Sequence, residues 1–121
     1  MNIKNVFNDL KYLGEVEGQK QTYYVFSAPK HFLLCAYSKN QAESGNFNVV
    51  DSEAVAYVLK KFAGKYGITS SNVVEESRKP QFVRDRLSAL NLLYILVALK
   101  KAKIDKRRKS NVGPTYFNLT K

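Results

Sequence analysis

A run of ten residues near the C-terminal end, 100–109, carries seven basic side chains and is followed by the turn-forming pair Gly113-Pro114. Lys and Arg on an exposed strand neutralise phosphates and release the counterions condensed around a nucleic acid. Arg also enters a narrow minor groove, where the electrostatic potential is most negative. A solvated charge run, or an edge strand protected by lysines, is the alternative. We predict polyanion contacts through Lys100, Lys101, Lys103, Lys106, Arg107, Arg108 and Lys109.

A second basic cluster comprises Arg78, Lys79, Arg84 and Arg86. It stands where a helix is expected to begin, and the free N–H groups of a helix N-terminus hold phosphates. Asp85 lies between two of these arginines and offers a different interpretation, a local ion pair with a purely structural role. Both interpretations remain open at this point.

The formal charge of +10 is distributed unevenly along the chain. Residues 1–60 carry six lysines and six acidic groups, whereas residues 61–121 carry fourteen basic residues and four acidic ones. A field of one sign attracts a partner of the opposite sign. The alternative is that the charge serves only solubility. Nucleic acid is the first candidate partner, ahead of acidic membranes and acidic proteins.

Residue types needed for catalysis are scarce. His31 is the only histidine and Cys35 the only cysteine. We expect His31 in a turn and Cys35 as a buried, inert thiol inside an apolar strand. One His and one Cys make no transition-metal site, and no glycine-rich phosphate loop is present. The sequence predicts a non-enzymatic protein without metal or cofactor.

Aromatic residues are concentrated in two adjacent segments, where they suggest a stacking platform for single-stranded bases. The candidates are Tyr23, Tyr24, Phe26, Phe32 and Tyr37. Alternation along a strand opposes this hypothesis, because Tyr23 and Val25 face one way while Tyr24 and Phe26 face the other. Core packing explains most of them.

The first 50 residues predict one helix and three strands. Apolar spacing over 5–13 is typical of a short amphipathic helix that ends near Gly14. Residues 22–27 and 32–38 predict a β-hairpin, and 47–50 a short third strand.

From Asp51 the apolar period becomes helical. Asp51 or Ser52 can cap a helix that Gly67 stops. Its predicted core face contains Val55, Val58, Leu59, Phe62 and Tyr66. A short helix with Asn72 and Glu75 at capping-box spacing follows, and Pro80 ends it.

The last segment predicts a long helix and a hairpin. The helix runs from about 81, or from as late as Ser88, to about 101. Ten of the eleven residues in 89–99 are apolar or aromatic, which is typical of a helix buried on every side, covered by the N-terminal elements or by another subunit. Residues 103–108 and 115–120 predict the two hairpin strands.

The order helix, short helix, helix, hairpin over 51–121 resembles the winged helix-turn-helix DNA-binding superfamily. The stretch LSALNLLYILVALKKAKIDKRRKSNVGPTYFNLT is similar to the third helix and wing of many bacterial transcription regulators. The resemblance implies that the third helix enters the major groove while the wing contacts phosphates or the minor groove. Since the middle of this helix is apolar, only its ends are suited to touch DNA.

We therefore predict one α+β domain over 1–121, in which an N-terminal helix and β-hairpin join a winged helix-like unit of three helices and a C-terminal hairpin. The expected function is binding of double-stranded DNA, as a transcriptional regulator or as an accessory unit of a DNA-processing system. The alternatives are an RNA or single-stranded nucleic-acid binding protein and a protein–protein adaptor that forms a homodimer through the apolar helix.

The expected location is the cytoplasm, or the nucleoid in a bacterium. A single cysteine suits a reducing compartment. The N-terminus has no continuous apolar stretch of the kind found in signal peptides. The longest apolar run, 92–99, is too short to cross a bilayer of about 30 Å, so no membrane partner is expected.

Overall fold

Within the described residues, the chain folds into four strands, then three helices, then two short strands. The structure is a computed structural model that describes residues 9–19, 21–38, 45–106 and 113–121. The strands are β1 (Lys11–Glu17), β2 (Gln21–Ser27), β3 (His31–Ser38), β4 (Gly45–Asp51), β5 (Ala102–Ile104) and β6 (Phe117–Leu119). The helices are α1 (Ser52–Phe62), α2 (Ser70–Ser77) and α3 (Arg86–Ala98). The predicted α+β class is confirmed.

The first four strands form an antiparallel sheet in the order β1-β2-β3-β4. Tyr23 lies opposite Ala36 and Val25 opposite Leu34, and all four are buried against the helices. Successive strand residues face opposite sides, so Tyr24 and Phe26 lie on the outer face. The predicted hairpin of β2 and β3 is confirmed.

The predicted N-terminal helix is wrong where it can be compared. Residues 11–13 begin strand β1, while 5–8 lie outside the described residues. Gly14 ends no helix; it sits within the strand at a register shift, with a φ of 152° that favours glycine. Pairing with β2 and burial of Val16 outweigh the local helical spacing, because tertiary contacts override intrinsic propensity.

Helix α1 begins as predicted and ends early. The Asp51 carboxylate accepts the Glu53 N–H at 2.9 Å and so caps the first turn. Phe62 is the last helical residue, five positions before the predicted stop at Gly67. Tyr66 was expected on the core face and is instead 74% exposed, because the chain has already left the helix.

Helix α2 is capped three residues earlier than predicted. The Asn72 N–H donates to Thr69 Oγ1 at 3.2 Å, and the Thr69 N–H donates to Asn72 Oδ1 at 2.9 Å. This reciprocal pair is a capping box, whereas the predicted Asn72–Glu75 box is wrong. The helix ends at Ser77, before Pro80, and the next residue, Arg78, has left-handed backbone angles.

Helix α3 lies at the centre of the molecule. The Asp85 carboxylate accepts the Ser88 N–H at 2.8 Å, which fixes the start at Arg86, between the two predicted starts. The helix ends at Ala98, three residues before the predicted end. It contacts α1, α2, the first three strands and β5. Ala89 and 91–96 are buried, which confirms the predicted burial for this part of 89–99, whereas Leu90 and 97–99 are only partly buried. The first three strands cover the helix together with α1 and α2.

Strands β5 and β6 form a hairpin shorter than predicted. The intervening residues 107–112, which include the first half of the predicted turn Asn111-Val112-Gly113-Pro114, lie outside the described residues. Ile68 forms an isolated bridge to Phe117, so the segment before α2 pairs with the return strand. Tyr94 of α3 stacks on Tyr23 at a ring separation of 4.3 Å and meets Phe117 edge-on at 5.6 Å. These rings join the sheet, the central helix and the hairpin in one core.

Candidate nucleic-acid interface

Two groups of basic side chains lie at the two ends of α3, and every described member is exposed. The junction cluster comprises Arg78, Lys79, Arg84 and Arg86. The hairpin cluster comprises Lys100, Lys101, Lys103 and Lys106. The predicted contacts Arg107, Arg108 and Lys109 lie outside the described residues.

The junction cluster stands on a fixed connection between α2 and α3. The Tyr57 hydroxyl donates to the Ser77 carbonyl, and its ring lies 5.3 Å from the ring of Phe82. The Lys79 Nζ sits 5.8 Å from the centre of the same Tyr57 ring, a cation–π arrangement. The Phe82 N–H donates to the Lys79 carbonyl at 2.9 Å. These contacts hold the backbone while the charged groups face solvent.

Asp85 has a structural role in this cluster. Its carboxylate accepts a hydrogen bond from the Ser88 N–H. This N–H is one of the donors that a helix N-terminus can otherwise offer to a phosphate. Within the described part of the chain, Lys65 pairs with Glu76 at 3.2 Å, whereas the Arg–Asp85 pair left open by the sequence is absent. Arg84 and Arg86, on either side of Asp85, remain exposed.

The hairpin cluster begins where α3 ends. The Lys101 N–H donates to the Leu96 carbonyl at 2.9 Å and the Lys100 N–H to the Val97 carbonyl at 3.0 Å, which is the Schellman pattern. Lys100 has a φ of 65°. Its αL conformation is the one that glycine usually supplies.

Lys103 projects from β5 toward solvent, while its neighbour Ala102 is buried. Together with Lys100 and Lys106 it lines a cleft of about 660 Å³. Strand β1 also lines this cleft, through residues that include Glu15 and Glu17. Since these carboxylates line the same cleft as the lysines, they reduce the positive potential inside it.

Sequence reasoning missed these two carboxylates. Glu15 and Glu17 share one strand face at a spacing of two residues, but no local pattern places that strand beside the hairpin. Thr22 Oγ1 donates to Glu17 Oε1 at 3.1 Å. At the end of the same strand pair, Gln19 Nε2 donates to the Gly113 carbonyl at 3.1 Å. The first hairpin of the sheet is thus connected to the C-terminal segment.

The two clusters are not brought together. Helix α3 has thirteen residues, and at about 1.5 Å per residue it separates them by about 20 Å. At about 3.4 Å per phosphate along one strand, this separation matches roughly six nucleotide steps. A rigid duplex can therefore meet both clusters only at phosphates well apart from each other.

The predicted aromatic platform is divided between the two faces of the sheet. Tyr23 is buried and Phe32 packs against the core. Tyr24, Phe26 and Tyr37 lie on the outer face, where Tyr24 meets Tyr37 edge-on at a ring separation of 5.8 Å. The five residues form no single stacking surface.

Groups suited to catalysis are not gathered. His31 was expected in a turn, but it is the first residue of β3 and is buried. Cys35 was expected to be fully buried, but it is half-buried, and partial burial raises the pKa of its thiol. Four residues of strand, at about 3.4 Å each, keep these two side chains apart.

The described residues contain neither a cluster of metal ligands nor a helix able to cross a membrane. No group of three His, Cys, Asp or Glu side chains within 9–19, 21–38, 45–106 and 113–121 is placed to hold a metal ion. No helix in that part of the chain combines the length and the apolar character required to traverse a bilayer.

No protein-family model matches the chain, and neither curated proteins nor solved structures provide a match. The geometry and charge of the site are therefore the basis for assigning a function.

Proposed function

We propose that this chain is a non-enzymatic protein that binds double-stranded DNA through phosphate contacts at both ends of α3. The observation that carries the proposal is the exposure of all eight described members of the two clusters on a fixed backbone. Lysine and arginine so placed neutralise phosphates and release counterions. A transcriptional regulator and an accessory unit of a DNA-processing system both need this chemistry.

The element order supports a winged helix-turn-helix arrangement for residues 52–121. Helix α1, the bridge residue Ile68, helices α2 and α3, and the hairpin β5–β6 follow one another in that order. The bridge to Phe117 adds a third strand position beside the hairpin. In this proposal β5, β6 and the residues between them are the wing.

The central part of α3 takes no part in base reading. A base-reading helix presents polar side chains to the major groove, but 91–96 are enclosed by the core. Contacts from the two helix ends hold the duplex by its backbone. Such contacts fix position and register and carry little sequence information.

A fluorescence anisotropy titration of a labelled blunt duplex at several salt concentrations tests both clusters. One variant replaces Lys106, Arg107 and Arg108 with Ala, and another replaces Arg84 and Arg86 with Ala. The matched control replaces Lys60 and Lys61 with Ala. Both lysines are exposed on α1, and their replacement removes the same charge as the junction variant does. Each cluster variant is expected to bind more weakly and to flatten the salt dependence by about 0.9 for each phosphate that it no longer neutralises.

Equal behaviour of the cluster variants and the Lys60/Lys61 control would contradict the proposal, since it would reduce the effect to net charge. Competition with single-stranded DNA and with RNA separates duplex binding from the other nucleic-acid alternatives. Duplex DNA is expected to compete best.

The outer face of the sheet favours a second candidate function, that of a protein–protein adaptor that dimerises through this face. Tyr37 and Phe47 are 51% and 50% exposed on this face, and Val49 is also exposed. By contrast, Leu92, Ile95 and Leu96 are buried, so a dimer formed through the apolar helix has no available surface. Sedimentation velocity over a range of concentrations, with Tyr37→Asp as the comparison, tests self-association through the sheet face.

A further inference from the structure

The turn between α1 and α2 is attached to strand β6 by a ladder of hydrogen bonds. The Gly64 N–H donates to the Thr120 carbonyl at 3.0 Å, and the Leu119 N–H donates to the Lys65 carbonyl at 2.9 Å. The Gly67 N–H donates to Asn118 Oδ1 at 2.8 Å. Ile68 and Phe117 then exchange two backbone bonds of 3.0 and 2.8 Å. These hydrogen bonds therefore fix the backbone of this turn without a ligand.

Tyr66 projects from this fixed turn into solvent. At 74% exposure it is the most exposed large hydrophobic side chain among the described residues. Apolar surface is normally removed from water, so packing within the fold does not account for the position of this ring. A tyrosine on a fixed backbone has only two side-chain torsions left to order, so it gives up little conformational entropy when it binds a ligand.

A cleft of about 420 Å³ opens beside the Tyr66 ring. Lys103 of the hairpin cluster, Asn118 and Thr120 line it, with the buried Asp105 also on its wall. The side-chain oxygen Oδ1 of Asn118 accepts the Gly67 N–H, so the side-chain NH2 group of Asn118 is left as a donor. The cleft thus combines an aromatic face, a cation and a polar donor. This combination suits a nucleotide, with the base on the ring and the phosphate on the lysine.

We propose, on the basis of the proposed function, that Tyr66 stacks on an unpaired nucleobase while Lys103 contacts an adjacent phosphate. A base inside a duplex has both faces covered by its neighbours, so an unpaired base with a free face is found only in an overhang or in a single strand. The site therefore adds a preference for duplex DNA that carries an unpaired strand.

The chain contains no tryptophan, so Tyr66→Trp introduces a single reporter. The probes are a blunt DNA hairpin whose loop is replaced by a non-nucleotide linker, so that it contains no unpaired base, and the same hairpin with a short single-stranded extension. Stacking is expected to quench the indole with the extended hairpin and to leave it nearly unchanged with the blunt one. Tyr12→Trp, on a strand-β1 side chain of 53% exposure, is the matched control and should report no such difference.

Affinity provides the second readout. Tyr66→Ala should lower affinity for the extended hairpin about five-fold or more, since stacking contributes about 1–3 kcal/mol per base, and should leave the blunt hairpin unaffected. Tyr66→Phe should retain the preference. Equal quenching by both hairpins, or no preference in the wild-type chain, overturns the Tyr66 proposal. If the chain does not bind the blunt duplex but the extended hairpin still quenches the indole, only the duplex-binding proposal is overturned. The stacking site at Tyr66 then stands.

Discussion

Two basic residues occupy backbone positions that glycine would fill with less strain. Arg78 ends α2 with a φ of 56°, and Lys100 ends α3 with a φ of 65°. Both belong to the clusters that we propose bind DNA. Backbone strain of this kind is concentrated at functional sites, where the side chain is needed despite the conformation. The sequence predicted the exposure of these residues but not their conformation, because glycine is the expected residue there.

Arg78→Gly and Lys100→Gly should each raise the free energy of unfolding, by about 0.75 kcal/mol and by about 1.5 kcal/mol at most. This is the difference between relief of about 1–2 kcal/mol of left-handed strain and the extra chain entropy of glycine, about 0.5–1 kcal/mol. Urea unfolding measures the increase, and the duplex titration should show weaker binding by the same variants. The Ala variants, which remove the charge and keep the strain, should not be stabilised. Glycine variants no more stable than the Ala variants would contradict the strain assignment.

Tyr94 should make stability depend on pH in the alkaline range. Burial, and to a smaller extent the neighbouring Tyr23, raise the pKa of Tyr94 from 10.0 to about 12, while a hydrogen bond with Thr115 opposes the shift. The unfolded chain loses this proton first, so the stabilisation is complete below pH 10 and is lost as the pH rises toward 12. Tyr94→Phe should flatten the decline in unfolding free energy over this window. Because burial also raises the pKa of Tyr23, part of the decline should remain. An unchanged pH dependence in the variant would refute the assignment.

Among the helices and strands, α3 was predictable and β1 was not. A helix that is apolar on every side must be enclosed, and the structure encloses it between the sheet and the other helices. The apolar spacing in the segment of strand β1 also fits a helix, so the spacing alone did not predict a strand. Only pairing with β2 decides between helix and strand. The cap of α2 was misplaced for a related reason, since several polar residues compete for one N-terminus and their hydrogen bonds select Thr69.

Leu96→Ala should lower the free energy of unfolding by roughly 2–5 kcal/mol, because it leaves a cavity at a fully buried position. Urea unfolding gives the value. Leu87→Ala is the control in the same helix, where 63% exposure predicts a change within about 0.5 kcal/mol. Similar effects of the two substitutions would show that the centre of α3 is not enclosed.

Across the molecule, eight of the fourteen basic residues of the second half lie exposed at the two ends of the central helix. The sequence predicted the two clusters and their exposure, because charged side chains rarely lose their hydration. It could not predict their separation of about 20 Å, which depends on the length of α3. Nor could it place Glu15 and Glu17 in the same cleft as the lysines, because that arrangement joins strands far apart along the chain.

Separated clusters have a consequence for the duplex as a whole. A protein that contacts phosphates through two clusters should show a salt-dependence slope equal to the sum of the slopes that the two clusters contribute. Each cluster variant should lose only the slope contributed by its own cluster. The acidic wall contributed by β1 should oppose this attraction. Glu15→Gln combined with Glu17→Gln should therefore strengthen duplex binding at low salt, and unchanged affinity in the anisotropy titration would show that the cleft does not face the DNA.

DNA binding itself is decided by the affinity of the wild-type chain for a blunt DNA duplex as a function of salt concentration. Backbone binding by both clusters predicts that the logarithm of the association constant falls linearly with the logarithm of salt concentration, with a slope of about −4 or steeper, which corresponds to roughly four or more phosphates. No measurable affinity at low salt, or a slope near zero, would contradict duplex binding through these clusters.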